Sequence, residues 1–310
     1  MDSPALDRRA WPHGSTLDHW LLPDGWPLRR FRMGSGERGR MLVIGGRADM
    51  IEKYIEPVSH WAAQGWAVTT FDWRGQGGSG RMTDSPVVGH FGNFSRWIDD
   101  LAALYAAWRA QGNGPAVTVG HSMGGHLLLR ALVESAIDPD AAVLTAPMFG
   151  LNSGPIPECI ALRVANAFCA LGMAEKPAWK EGPDSPMRMS RLTHSAERFA
   201  DDLWWRETTP DISLGAPSWR WIAEAYRSTR ALERSRGIEA TRTPTFIIGT
   251  DADKLVSPAA IRRIAARLPL AQLHMYDQEA EHEILREVDS VRLDAMARID
   301  AFLDEWAPVE

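Results

Sequence analysis

Ala116-Val117-Thr118-Val119-Gly120-His121-Ser122-Met123-Gly124-Gly125-His126-Leu127-Leu128-Leu129 decides how this chain is read. Its first half is an apolar, β-branched run with the composition of a buried strand. Its second half has the composition of a helix, and almost nothing separates the two. Gly120-His121-Ser122-Met123-Gly124 fills the gap and matches the G-x-S-x-G nucleophile elbow. A strand that turns directly into a helix strains its middle residue, and side chains at the flanking positions collide with neighbouring backbone. Glycine at both places removes the collision. The turn then holds the Ser122 hydroxyl above the sheet, and the helix N-terminus aims N–H groups at whatever it attacks.

A serine hydroxyl is a poor nucleophile at neutral pH. It needs a neutral imidazole to take its proton and a carboxylate to fix that imidazole's tautomer. In a parallel sheet such groups gather beyond the carboxyl ends of strands, here in the chain order Ser, then Asp or Glu, then His. The strand-like run 246–249 leads into Asp251-Ala252-Asp253, and the run 273–276 leads into a loop carrying His282. His282 is the only histidine after that last strand. Asp251 and Asp253 compete for the carboxylate role; Asp253 is preferred because Leu255-Val256 can anchor its loop. An oxyanion hole needs two N–H donors. These fall to the backbone of Met123 and of Arg47, the latter in the loop after the first parallel strand. Gly45 and Gly46 let the backbone approach the substrate carbonyl, and His121 shapes the pocket.

The rest of the chain fits around this centre. Residues 1–16 read as a loose arm. The runs 17–22 and 28–33 flank Pro23-Asp24-Gly25 as a hairpin, 41–44 is a buried strand, and 51–64 is a helix interrupted near Pro57. The strand 66–71 enters Asp72-Trp73-Arg74-Gly75-Gln76-Gly77-Gly78-Ser79-Gly80, a tight glycine-rich loop. It lacks the Gly-Lys-Ser/Thr ending of a phosphate cradle. A helix over 94–109 and a strand over 141–144 continue the alternation, which predicts an α/β fold with a mostly parallel sheet and helices on both faces. The rhythm breaks over 151–236. Helical stretches at 160–171, 196–205 and 218–234 are separated there by connections at Pro155, Pro157, Pro177, Pro183 and Pro186. That segment reads as a helical lid inserted into a core of residues 1–150 and 237–310. Strands at 245–249 and 271–276 and a helix over 291–306 close the core.

Composition narrows the partners. The chain has 310 residues, a formal charge of −6 and a pI near 5.9, which argues against nucleic acid. Its two cysteines, Cys159 and Cys169, exclude a disulfide framework and read as buried thiols in a reducing compartment. The start of the chain lacks a signal-peptide run and no segment approaches a membrane span, so a cytoplasmic protein is expected, with transient contact at the inner membrane left open. No histidine pair has metal-ligand spacing, and neither metal nor cofactor is expected. The 14 tryptophans, against 9 Phe and 4 Tyr, suit either amphipathic pocket walls or a Trp-rich core. The sequence leaves the oligomeric state undetermined.

Several segments together resemble the α/β-hydrolases of the monoacylglycerol lipase and bacterial lysophospholipase group, also described as serine-aminopeptidase-like. They are residues 45–49 with Lys53-Tyr54, the Asp72-Trp73-Arg74-Gly75-Gln76-Gly77 loop, the elbow, Ala146-Pro147-Met148, residues 253–256 and the His282 loop. Many members carry His-Gly where this chain has Gly45-Gly46; because the donor is backbone, the hole is expected to be kept. The resemblance implies hydrolysis of an ester bearing one long acyl chain, from a lysophospholipid or a monoacylglycerol. Ser122, His282 and Asp253 would be catalytic, and Gly46, His121, Trp204 and Trp205 would contact substrate. The alternatives are a short-chain carboxylesterase or thioesterase, an aminopeptidase using Glu197, Asp201, Asp202 or Glu207, and, from another class, a binding module whose triad is idle.

Overall fold

The computed structural model describes residues 6–180 and 186–308. Strands β1 (Thr16–Leu21) and β2 (Pro27–Met33) form the predicted hairpin. β3 (Gly39–Ile44), a 3₁₀ turn at Ile51–Tyr54, helix α1 (Ile55–Ala63) and β4 (Trp66–Phe71) follow. Then come α2 (Phe94–Arg109), β5 (Ala116–His121), α3 (Met123–Val133) and β6 (Ala141–Thr145). Between β6 and the next strand lie α4 (Glu158–Phe168), α5 (Pro186–Leu192), α6 (Ala196–Thr208), α7 (Trp219–Arg234) and the short α8 (Gly237–Ala240). β7 (Thr245–Thr250), α9 (Pro258–Ala265), β8 (Ala271–Tyr276) and α10 (Asp289–Trp306) complete the chain.

The strands form one sheet in the order β1-β2-β4-β3-β5-β6-β7-β8. β2 runs antiparallel to both neighbours, and every pair from β4 through β8 is parallel. The central strands are buried on both faces, and their side chains alternate between two cores. Leu42 and Ile44 of β3 and Ile247 of β7 point into the core that holds Leu101, Leu128 and Ile261 of α2, α3 and α9. Met41, Val43, Phe246 and Ile248 point into the opposite one, with Trp61 of α1 and Ile299 and Phe302 of α10. Strand order reverses between β3 and β5, so the crevice beyond their carboxyl ends is where such a sheet accepts ligands. The elbow opens there.

Four expectations change. Pro57 does not interrupt the helix: it sits in the first turn of α1, where its missing N–H costs nothing, and the break is the 3₁₀-to-α junction at Tyr54. The arm is tied down over its described part. Trp11 stacks on Phe31 of β2 at 5.5 Å and packs at a tilt against Trp205 of α6 at 5.3 Å, and Arg8 and Arg9 both bind Asp201. Pro186 begins a helix rather than a connection, as its fixed φ allows at a first helical position; Pro183 lies outside the described residues. The thiols are free but not buried: Cys159 is exposed and Cys169 partly so, because α4 turns all but Ala165 at least partly outward. α9 has no counterpart in the alternation, although Ser257-Pro258 is a helix start and Ser257 Oγ accepts from Ala260 N–H.

Close packing at the elbow generates a prediction. A Cβ on Gly124 would lie 2.4 Å from the Gly45 carbonyl oxygen and 2.6 Å from that of Ile44, both backbone atoms that cannot swing aside. Gly124→Ala is expected to lower unfolding stability by ~1–3 kcal/mol, read from urea denaturation, and to impair activity as α3 shifts from β3.

Candidate active site

Ser122 stands between β5 and α3 with φ 51° and ψ −118°, a region that a non-glycine residue occupies only under constraint. The constraint is visible. Ser122 N–H donates to Thr145 O of β6 at 2.9 Å, and Ser122 C=O accepts from His126 N–H at 3.0 Å and Met148 N–H at 2.9 Å. Gly46 lies against the nucleophile, since a Cβ there would come within 2.9 Å of Ser122 Cβ. With both peptide groups fixed, the hydroxyl has one direction to face.

It faces His282. Nε2 of that ring lies 2.8 Å from Ser122 Oγ, and Nδ1 lies 2.7 Å from Asp253 Oδ2. The second oxygen of Asp253 accepts from Leu255 N–H at 2.8 Å and Val256 N–H at 2.9 Å, so the carboxylate is held and fully used. Asp251 goes elsewhere: it pairs with Arg262 near the surface. Leu255-Val256 does anchor the loop, through amide hydrogens as well as apolar contact. All three side chains are buried, with Ser122 at 9%, His282 at 4% and Asp253 at 3% exposure.

Electrostatics favour a base that is easily protonated. Burial disfavours the imidazolium of His282, but the charge and hydrogen bond of Asp253, with the charges of Glu283 and Asp49, outweigh it and leave its pKa above the ordinary value. Burial would raise the Asp253 carboxyl; the facing His282 and the two amide hydrogens win, and it is lowered. His121, whose ring centroid is 4.9 Å from that of His282, is pushed down to about 4 by burial and stays neutral. Its Nδ1 lies 3.2 Å from Thr145 O, so the ring packs between β5 and β6.

The remaining predicted residues fall in two groups. Met123 is the first residue of α3, where helix geometry leaves the N–H without an intrahelical acceptor beside Ser122. Arg47 follows Gly46 in the loop after β3, and its guanidinium reaches away to Gly215 O at 2.8 Å and to the Trp221 ring. Trp204 and Trp205 lie beside the N-terminal arm. Trp205 packs with Met50, Ile55 and Ile212 and donates Nε1–H to Arg8 O at 2.9 Å, while Trp204 meets Trp205 edge-on and Arg9. The N-terminal arm thus satisfies the Trp205 indole N–H and lays Arg9 over the Trp204 ring.

Three buried residues add to the site beyond the sequence reading. Asp49 accepts from Gly46 N–H, Tyr54 O–H and Lys53 Nζ, each at 2.6 Å. Lys53 also pairs with Glu283, next to His282. Glu287 accepts from Glu281 N–H at 2.9 Å and His194 N–H at 3.0 Å, which ties the histidine loop to the α5–α6 connection. Asp49 and Lys53 stand within a segment that carries the family resemblance, but Glu287 has no local signal for its bond to His194, which lies 93 positions away in sequence.

A serine, an imidazole and a carboxylate linked in this order beneath a helix N-terminus define a serine hydrolase of the α/β-hydrolase fold. The chain belongs to the family described as serine aminopeptidase, S33, which it matches over residues 35–289. It is 29% identical over 303 residues to lysophospholipase L2 of Escherichia coli, covering 91% of this chain and 85% of that one. It is 27% identical over 274 residues to probable lysophospholipase L2 of Haemophilus influenzae, covering 87% and 85%. Among solved structures it resembles a monoglyceride lipase of Saccharomyces cerevisiae with a TM-score of 0.75 at 18% identity, covering 96% and 97% of the two chains.

The carboxylate assignment is testable. Asp253→Asn is expected to lower kcat ~10⁴-fold by stabilising the wrong tautomer, while Asp251→Asn stays near wild type, as measured with a p-nitrophenyl ester. The base works only when neutral, so rate is lost as pH falls through its raised pKa. The acid limb of kcat/KM should therefore have a midpoint above the ordinary imidazole value of about 6.5, and Asp253→Asn should move it lower.

Proposed function

We propose that this chain hydrolyses the carboxylic ester of a single-chain lipid, a lysophospholipid or a monoacylglycerol, through an acyl-enzyme on Ser122. The observation that carries the reading is the continuous hydrogen-bonded line Ser122–His282–Asp253. The likeness to lysophospholipases over most of both chains supports the substrate class. Ser122 Oγ attacks the ester carbonyl as His282 Nε2 takes its proton. The N–H groups of Met123 and Arg47 receive the oxyanion, and Asp253 stabilises the imidazolium. Collapse of the tetrahedral intermediate breaks the bond to the alcohol, which leaves with the proton from His282. Water then adds to the acyl-enzyme, giving its proton to His282. The second collapse frees the fatty acid and returns the proton to Ser122.

The aminopeptidase alternative loses support from its own candidate carboxylates. Asp201 is bound by Arg8 and Arg9, Glu197 by Arg8, and Asp202 by Arg188 and Arg206. At these three of the four candidates, Glu207 being the fourth, an ammonium group would have to displace an arginine.

Residues 151–236 serve in this reading as a lid on a core of 1–150 and 237–310. A long acyl chain gains ~0.8 kcal/mol per buried methylene beneath it. The outer part of that lid supports contact with a lipid surface. Ile160, Val164, Leu171 and Trp179 are exposed at 47, 42, 75 and 49%, beside the exposed cations Arg163, Lys176 and Lys180. Anionic headgroups complement that face, and no described helix is long and apolar enough to cross the bilayer. A cytoplasmic enzyme that visits the inner leaflet fits this arrangement.

A fluorophosphonate probe is expected to label the wild type and not Ser122→Ala; a folded wild type that resists labelling would refute the mechanism. Activity on p-nitrophenyl esters should rise from C2 to C8–C12, and an optimum at C2 would refute the long-chain pocket. Lysophospholipid and monoacylglycerol assayed side by side identify the headgroup. Leu171→Ser with Trp179→Ser should reduce sedimentation with anionic vesicles, and unchanged binding would remove the membrane contact.

A further inference from the structure

The Asp72-Trp73-Arg74-Gly75-Gln76-Gly77 loop has so far no part in the chemistry, yet its side chains end on the oxyanion loop. Trp73 Nε1–H donates to Gly45 O at 2.8 Å. Gln76 Oε1 accepts from Ala48 N–H at 2.6 Å, and Asp72 Oδ1 accepts from Ile51 N–H at 3.1 Å. Gln76 is 3% exposed, and its Nε2 finds no acceptor among the described residues, so the buried amide is used for Ala48 alone. From the other side, Arg206 of α6 donates Nη2–H to Ala48 O at 2.9 Å and is braced by Asp202 through Nε.

These bonds surround one peptide group. The donor assigned to Arg47 belongs to the peptide between Gly46 and Arg47. The peptide before it is held by Asp49 on Gly46 N–H, and the peptide after it by Gln76 on Ala48 N–H. Ala48 itself stands at φ 58°, in the left-handed region that an alanine leaves unless it is restrained. Without these restraints Ala48 could leave that region, and the loop could shift so that the 46–47 peptide carries its N–H away from the oxyanion. An oxyanion donor works because it is already aimed before charge develops, so whatever fixes its aim acts on the transition state and not on ground-state binding.

We propose that Gln76 and Arg206 are positioning residues for the oxyanion donor at Arg47, and that the bond from Arg206 makes a complete hole depend on α6 being docked. This rests on the ester-hydrolase reading above, in which Arg47 N–H is a donor. The hole is then coupled to the docking of α6, since any loss of that docking would release Ala48 O.

The test uses p-nitrophenyl octanoate and an alkylboronic acid, which forms a tetrahedral adduct on the serine. Gln76→Met, which removes the acceptor, is expected to lower kcat ~10–100-fold and weaken the boronic acid by a similar factor, with KM within about threefold. Gln76→Glu keeps the acceptor and should stay within about threefold of wild type. Arg206→Met should show the same kcat-selective pattern at ~3–10-fold. The proposal is overturned if folded Gln76→Met and Arg206→Met retain kcat and boronic-acid affinity within twofold, or if Gln76→Glu loses as much as Gln76→Met. Should Gln76→Met fail to fold, Arg206→Met decides by the same criterion. Failure here with Ser122 still labelled by fluorophosphonate leaves the ester-hydrolase reading intact; an unlabelled wild type removes both.

Discussion

The backbone at Ser122 is the constraint on which the site depends. A serine at φ 51° and ψ −118° persists only because β6 holds its N–H and α3 with the following loop holds its carbonyl. Strain of this kind costs ~1–3 kcal/mol and must be offset by surrounding contacts. The surroundings are built for it. Glycines at 46 and 124 admit backbone and nucleophile to distances that any Cβ would forbid, and Gly120 and Gly125 touch across the turn. The benefit is preorganisation: the hydroxyl, the imidazole and the helix N-terminus meet without rearrangement when substrate arrives.

Around that rigid centre the loop after β3 and the loop that carries His282 are held by buried polar groups. The oxyanion loop and the histidine loop are joined by Asp49, Lys53 and Glu283, with Arg286 bound to Glu283 and to Lys53 O. Each of these side chains is buried, so each charge needs its partner, and the network tolerates few geometries. Buried ion pairs add little net stability, and here they are better understood as fixing the distance between the loop after β3 and the loop that carries His282.

The helical segment between β6 and β7 enters this network rather than resting on top of it. Glu283 N–H donates to Leu192 O at 2.7 Å, Glu287 receives His194 N–H, and Arg206 reaches Ala48 O. Helices α5 and α6 therefore brace the catalytic loops from outside, whereas α4 and the turn after it present exposed apolar side chains. The segment divides into a part that holds the site and a part that faces outward. Conformational freedom is expected in the latter, where little buried surface or hydrogen bonding would be lost on moving.

The sequence by itself determined the fold and marked Ser122, His282 and Asp253 as candidates, because both are written in local patterns. A strand-to-helix junction with glycine on either side of a serine allows one local geometry, and the alternation of apolar runs around it allows one kind of sheet. His282 was legible from its place after the last strand. Asp253 was preferred to Asp251 on its neighbours, and only the coordinates show the second in an ion pair with Arg262. Tertiary structure alone decided what lies between distant segments. It put Trp204 and Trp205 against the arm, and it brought Gln76 and Arg206 to opposite ends of one alanine. Hydrogen bonds between residues 28 and 158 positions apart leave no periodicity in a sequence, since they are selected by the packed fold and not by the chain's local preferences.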